Sequence, residues 1–473
     1  MISAAAASFL DDPQVLIDQF SYRHKTAGEL ARGGQGVVFR TTDSDLAIKQ
    51  PLIPGTDQVD DSPQLAKRYR QVWQLPLPAG ISISLPLAVL KNQNGYVMKL
   101  LNSMHPFAKL ELTGPEFRRL KQIIQTDPNS VPGWLTGGQV LPEWSESLAQ
   151  ILPYWHYANT GSTKLRLQLL AKCAAILARL HAAGLVYCDV SYNNCFYGQA
   201  EGLQVWLIDA DNLRHEKLKP GSSFYTPGLG APEIMQGADS SRPRSDIWAF
   251  AVMAFEMLTL THPFIGRMVS ESQAESDDWA ASVGTAGTAA NLGDLRDQAF
   301  AGWLPFIDDA DDDRNRTDAG LPRSVVLTPS LARLFAETFG PGRIAGGWHR
   351  RPAMVYWALE LARAGDLFLD CPDCHMSYIY QHQQCPYCDK ARPAFVLATT
   401  PRWQKVIQKP HNNKAEVALP HRMFYPFSLE HFDDGAYTAE VDFGNSNPVG
   451  PARGTKPIPA DLEFDVFLKA VPK

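Results

Sequence analysis

The chain has little that would carry it across a membrane or lock it with disulfides. No uncharged apolar run approaches the ~20 residues of a bilayer span. The opening stretch MISAAAASFLDDPQ lacks a basic n-region and a long apolar segment, so no secretion signal is expected. Cysteine is scarce, with seven in 473 residues, too few for a disulfide framework and suited to a reducing compartment. Positive charge is not in excess: the net charge of −6 gives no electrostatic case for nucleic acid as the main partner. No internal repeat is present. With 45% apolar and 20% charged residues the chain reads as globular, soluble and cytoplasmic, with no membrane partner. Its length predicts roughly two to four folded units.

From about Phe20 to Leu101 short strands alternate with Gly, Pro and Asp: GVVFRT, LAIKQ, ISISLPLAVL and GYVMKLL. One helix, Gln64 to Trp73, interrupts them. From Lys164 to Ala183 apolar residues recur at Leu169, Cys173, Ile176 and Leu180, a helical spacing that buries one face. Strand-like GLVYCDV and LQVWLIDA follow, then the apolar helix SDIWAFAVMAFEMLTL. Gly, Ala, Ser and Asp dominate from Arg267 to about Asp294, which reads as an insertion or mobile loop. The acidic run IDDADDDRNRTD lacks the Gly and closing Glu of a calcium loop and reads as a solvated loop. RRPAMVYWALELARAG closes the helical region.

Chemistry concentrates at a few positions. ELARGGQGVVF is a Gly-rich turn between strands, with Gly33, Gly34 and Gly36 able to let backbone N–H groups approach phosphates, although such a turn also marks plain hairpins. Thirteen residues after Gly36, the apolar strand LAIK closes on Lys49. A Lys on a buried strand asks for a phosphate or a carboxylate. VYCDVSYNNCF then sets Asp189 and Asn194 five residues apart, and twenty residues after Asp189 a strand ends in Asp209. Three such acceptors suit a magnesium triphosphate: two for a hard cation and one for the proton of an attacking hydroxyl.

These segments resemble the protein-kinase family. GGQGVV is similar to its Gly-rich loop, LAIK to V-A-I-K, YCDVSYNN to H-R-D-L-x-x-x-N and DAD to D-F-G, while APE stands intact at Ala231 to Glu233. Asp246 matches the buried Asp of the following helix, and Arg351 matches the Arg that pairs with Glu233. The resemblance covers about residues 28–363. It implies an α+β, bilobal protein-kinase-like fold with a β-rich N-lobe and a helical C-lobe. It further implies Asp189 as catalytic base, Asn194 and Asp209 as Mg²⁺ ligands, and Lys49 on the α/β-phosphates of ATP. Val38 and Ala47 would sandwich the adenine, with Met98 as gatekeeper and Lys99, Leu100 and Leu101 as the hinge.

The chain departs from the family pattern at several positions. Tyr187 and Cys188 replace His and Arg before Asp189, which removes the expected cation for an activation-loop phosphate. Ser191 replaces a Lys that contacts the γ-phosphate, and Ala210 replaces the Phe of D-F-G. The helix DSPQLAKRYRQVW has no Glu for Lys49; Gln64, Gln71, Asp60 and Asp61 are the alternatives, and the sequence does not choose among them. Ser222, Ser223, Tyr225 and Thr226 read as ordinary loop residues rather than autophosphorylation sites, and the basic run Lys67 to Arg70 as a solvated helix face.

Past the helical region, Cys371/Cys374 and Cys385/Cys388 form two CxxC knuckles ten residues apart. Two such turns facing each other close a thiolate tetrahedron, which predicts a structural Zn²⁺ ribbon, with a rubredoxin-like iron site or a redox pair as alternatives. His375 and His382 read as surface residues. A ribbon this small is expected to fold only with its metal. The last ~80 residues predict a small β-rich module.

The layout expected is an extension over 1–27, N-lobe 28–101, C-lobe 102–365 with an insertion about 266–320, ribbon 366–392 and module 393–473. A kinase domain ending in such a ribbon resembles kinases of tellurite-resistance-associated stress systems. That resemblance implies a bacterial serine/threonine protein kinase acting on a protein substrate, with a PPM-type phosphatase and a von Willebrand factor A domain protein as partners. The alternative is a nucleotide-binding pseudokinase scaffold.

Overall fold

The computed structural model describes residues 14–33, 36–127, 130–136, 146–200, 202–216, 225–272, 289–400 and 403–408, followed by strand backbones at 414–419, 427–433, 435–441 and 465–470. Gly34, Ser222 and Ser223 lie outside the described residues, as does 273–288 of the expected insertion.

Alternating apolar and polar residues build the first sheet. β1 (Val15–Ile17), β2 (Arg23–Gly33), β3 (Gly36–Thr41), β4 (Leu46–Pro51), β5 (Pro86–Val89) and β6 (Tyr96–Lys99) form six antiparallel strands in the order β1-β2-β3-β4-β6-β5. Side chains alternate across a strand, so the two faces of β4 carry different residues. Ile48 joins Leu16, Ala88, Leu90 and Val97 in a small core on one side. Ala47 and Lys49 point to the other, where Val38 stands opposite Lys49 and Met98 opposite Ala47. Helix α1 (Pro63–Trp73) covers part of that second face, with Tyr69 packed edge-on against Tyr96 at 5.1 Å.

The second lobe is helical. Its axis is α4 (Ser162–Ala182), preceded by α2 (Gly114–Thr126) and α3 (Glu146–Asn159) and packed on α6 (Pro243–Thr259). β7 (His105–Pro106), β9 (Cys195–Gly198) and β10 (Gln204–Leu207) make a small sheet, while β8 (Leu185–Val186) pairs with β11 (Arg214–His215). α5 (Pro232–Met235), α7 (Ala289–Phe300), α8 (Pro329–Phe339) and α9 (Met354–Gly365) complete the lobe. The end of the Gly- and Ala-rich stretch is thus helical from Ala289, where Ala, Leu, Arg and Gln favour the helix. Arg166 is fully buried without a carboxylate: its guanidinium donates to the carbonyls of Leu110 and Ser162 at 2.9 and 3.0 Å and to the Thr160 hydroxyl at 2.8 Å.

Behind α9 the chain forms β12 (Phe368–Asp370) and β13 (Ser377–Ile379), paired antiparallel, with the four cysteines on turns beside them. β14 (Phe395–Thr400) and β15 (Trp403–Gln408) follow, then β16 (Lys414–Leu419), β17 (Phe427–Asp433), β18 (Gly435–Val441) and β19 (Asp465–Ala470). Phe368, Leu369, Cys371, Cys374, Tyr378, Phe395 and Val406 belong to the same hydrophobic core as α4 and α6. The cysteine-bearing unit is therefore built onto the helical lobe.

Candidate active site

Two segments meet beneath the sheet. The first, between β8 and β9, carries Asp189 and Asn194. Its backbone is held by Asp246 of α6, whose carboxylate accepts the N–H groups of Tyr187 at 2.8 Å and Cys188 at 2.9 Å, with His181 at 3.0 Å. Cys188 is left-handed, with φ 72°, a conformation that costs a non-glycine residue about 1–3 kcal/mol and persists where its surroundings impose it. The Asp246 carboxylate is that imposition.

The second segment follows β10 and carries Asp209, also left-handed at φ 55°. The two are tied together: Ile208 N–H donates to the Asn194 carbonyl at 2.9 Å, and the Tyr187 hydroxyl donates to the Ile208 carbonyl. Tyr187, standing where the resemblance has His, thus bridges the segments.

Lys49 reaches down from the sheet to the second segment. Its ammonium donates to Asp209 and, at 2.7 Å, to Asp211. Burial alone would push this lysine down, but the charges of Asp211 and Asp209 outweigh it and hold it well above its ordinary value. Burial raises Asp209 to about 6 despite Lys49. Asp211, also buried, is held low because Lys49 and the neighbouring Tyr96 hydroxyl favour its charged form. None of Gln64, Gln71, Asp60 or Asp61 is the partner of Lys49. Asp61 instead accepts the Asn94 N–H at 2.8 Å. Sequence reasoning missed Asp211, although a carboxylate in the Gly position of D-F-G was a signal available in the chain. From α1 it is Arg68 that bonds this segment, its Nε donating to the Asp211 carbonyl.

Asp189 accepts a hydrogen bond from Thr226 at 3.1 Å, and Asn194 Nδ2 donates to the Asp189 carbonyl at 3.0 Å. Burial pushes the Asp189 carboxyl up, and the bonds from Thr226 and Asn194 pull it part of the way back. An Asn side-chain oxygen and an Asp carboxylate are ligand types a hard divalent cation takes. The Cys188 thiol is pushed up to about 12 by burial and by Asp246, against the pull of Arg214 from β11. A cation therefore does stand near the position the missing Arg vacated.

The remaining expected positions, among the described residues, lie on the strands of the sheet or just after β6. Gly36 is required by close approach, since a Cβ there would sit 2.6 Å from the Gln50 carbonyl oxygen, whereas a Cβ on Gly33 would meet open space. Val38, Ala47 and Met98 share the sheet face with Lys49. Leu100 N–H is committed to the Asp45 carbonyl at 2.8 Å, and the Lys99 carbonyl accepts from Ser84 at 3.2 Å.

Two further constellations stand away from the cleft. Arg351 meets Glu233 through two parallel bonds of 2.7 and 2.8 Å, both side chains fully buried. The thiols of Cys371, Cys374, Cys385 and Cys388 lie within 4.8 Å of one another, and neither His375 nor His382 joins them. Both knuckles close alike: the residues after them, His375 at φ 60° and Asp389 at φ 59°, donate their N–H to Cys371 and Cys385 carbonyls at 3.1 and 3.0 Å. The donor set and spacing fit a tetrahedral thiophilic ion.

The protein kinase domain family matches residues 148–289, which takes in Asp189, Asn194, Asp209, Glu233 and Asp246. The fold is that of a protein kinase. Ribosomal protein S6 kinase alpha-3 of Mus musculus and of Homo sapiens is 32% identical over 100 residues, 21% of this chain and 13% of the relative. A probable serine/threonine-protein kinase of Dictyostelium discoideum is 29% identical over 112 residues, 23% of this chain and 21% of that protein. The chain thus spans about a fifth of those relatives at most. In kinase terms the sheet is the N-lobe, the helices are the C-lobe, and no helix among the described residues is long and apolar enough to cross a membrane.

Proposed function

We propose that the chain is an ATP- and Mg²⁺-dependent serine/threonine protein kinase that transfers the γ-phosphate of ATP to a protein partner. The observation that carries this reading is the meeting of Lys49 with Asp209 across the cleft, beside a loop on which Asn194 braces Asp189. In this reading Asp189 takes the proton of the substrate hydroxyl as its oxygen attacks the γ-phosphorus and the bond to the β-phosphate oxygen breaks. The upward push on Asp189 makes it a better proton acceptor than an ordinary carboxylate. Lys49 binds the α/β-phosphates. Gly33 and Gly36 bring backbone N–H groups over them. Val38 and Ala47 enclose the adenine, with Met98 behind it and the hinge at Lys99, Leu100 and Leu101 along its edge. Asn194 and Asp209 are the groups that would hold Mg²⁺, which neutralises phosphate charge when bound.

The four cysteines are read as a structural Zn²⁺ site, because all four positions are protein thiols and none is left open for chemistry. Kinase fold and cysteine ribbon together favour a bacterial stress or signalling role in the cytoplasm, with a PPM-type phosphatase and a von Willebrand factor A domain protein as partners. The second reading, a nucleotide-binding scaffold, is favoured by Ser191, which leaves the loop one cation short. Transfer of labelled phosphate from ATP to protein in a lysate of the native cell separates the two. Asp189→Asn is expected to lower transfer by about 10²–10⁴-fold. Signal unchanged in that variant would overturn catalysis by this site.

A further inference from the structure

We propose that Asp211 is the standing partner of Lys49, a positioning residue that supplies from the loop the carboxylate that helix α1 lacks. The inference rests on the kinase reading and deepens it. A buried lysine must be met by an anion, and the helix beside it presents the opposite charge: Arg68, which grips the Asp211 carbonyl. The polarity of the helix contact is thereby reversed. The helix holds the loop through a cation, and the loop in turn holds the lysine through a carboxylate.

The two carboxylates on Lys49 are not equivalent. Asp211 keeps 12% of its side chain exposed and Asp209 28%, so Asp211 is the inner partner and Asp209 the outer one. Tyr96, opposite Lys49 in the β4–β6 register, flanks Asp211 on the same face. Asp209 is also the residue assigned to the metal. A lysine whose only anion was Asp209 would collapse onto that carboxylate and be lost to the phosphates. With Asp211 present, Asp209 is released while Lys49 stays in place. A glycine at position 211 would offer nothing for this purpose.

The test moves the carboxylate from the loop to the helix. Asp211→Gly is expected to lower kcat by about 10- to 100-fold, as misplaced phosphate-binding groups do, and to weaken binding of a fluorescent ADP analogue measured in EDTA several-fold. Arg68→Glu alone is expected to be harmful in the presence of Asp211. The double variant Asp211→Gly/Arg68→Glu is expected to recover both readouts above the Asp211→Gly level. Such a reversal of sign is a coupling that a merely structural role for either residue does not produce. Wild-type kcat and binding in Asp211→Gly, or a double variant no better than Asp211→Gly, would overturn the proposal. Should the wild type transfer no phosphate, the kinase reading fails, and the nucleotide-binding pattern in EDTA still decides the role of Asp211.

Discussion

At the scale of single residues, the site owes its character to charges placed where water is scarce. Glu111 and Glu256 of α6 both lie near Tyr192 of the loop that carries Asp189, and Tyr192 donates to Glu256 at 2.7 Å. Burial raises Glu256 to about 7, and burial together with the Glu256 charge raises Glu111 to about 7, from 4.5 for each. A carboxyl raised on folding contributes its stability in full below the unfolded value and loses it as pH rises through the folded one. Melting temperature is therefore expected to fall between about pH 4.5 and pH 7. Glu256→Gln is expected to flatten that fall, so that the variant gains on the wild type at pH 8. Parallel melting curves for the two proteins from pH 5 to pH 8 would contradict this. The sequence made Lys49, Asp189, Asn194 and Asp209 legible because each stands at a fixed offset in a short motif. Thr226 and the Glu111 and Glu256 carboxyls were not, because what they touch comes from segments far off in the chain, whereas Asp211 carried a signal of its own in the Gly position of D-F-G.

At the scale of elements, the helix that leads to the Asp189 loop is finished by a distant segment. α4 begins at a glycine with no capping side chain. The Ser377 hydroxyl of β13 accepts the Lys164 N–H at 2.8 Å, while the Ser377 N–H donates to Ser162 at 2.8 Å. The cysteine-bearing unit thus supplies a cap from more than two hundred residues away. Removing a cap of this kind costs about 1 kcal/mol, so Ser377→Ala is expected to lower stability by that amount in urea unfolding. The Arg351–Glu233 pair is a larger dependence. Leaving one partner of a buried, bidentate pair alone costs about 3–5 kcal/mol, and Glu233→Gln is expected to fall in that range by the same measurement. That pairing was legible from the motifs. Element ends were less so: ISISLPLAVL reads as one long strand, yet only Pro86–Val89 forms a strand of the sheet, because the preceding residues turn to meet Leu207 across the lobes.

At the scale of the whole molecule, the kinase core and the ribbon share one hydrophobic interior. β15 fastens the next segment to the same place: Trp403 and Lys405 donate to Asp366 at the end of α9 at 2.7 and 2.8 Å. Treatment with a zinc chelator, or Cys374→Ser with Cys385→Ser, is expected to lower the melting temperature of the kinase lobe itself in a single transition. A kinase transition left in place would show that the ribbon is an independent unit. The fold class was legible because six motifs occur in family order; the fusion of ribbon and lobe was not, because neither CxxC pair specifies what it packs against.

The proposed convergence of Lys49, Asp209, Asn194 and Asp189 on one nucleotide is tested most directly by thermal protection with ATP and magnesium. The wild type is expected to melt higher with both present, and Lys49→Met and Asp209→Asn are each expected to lose most of that rise relative to their own nucleotide-free curves. No rise in the wild type, or an equal rise in all three proteins, would contradict the site.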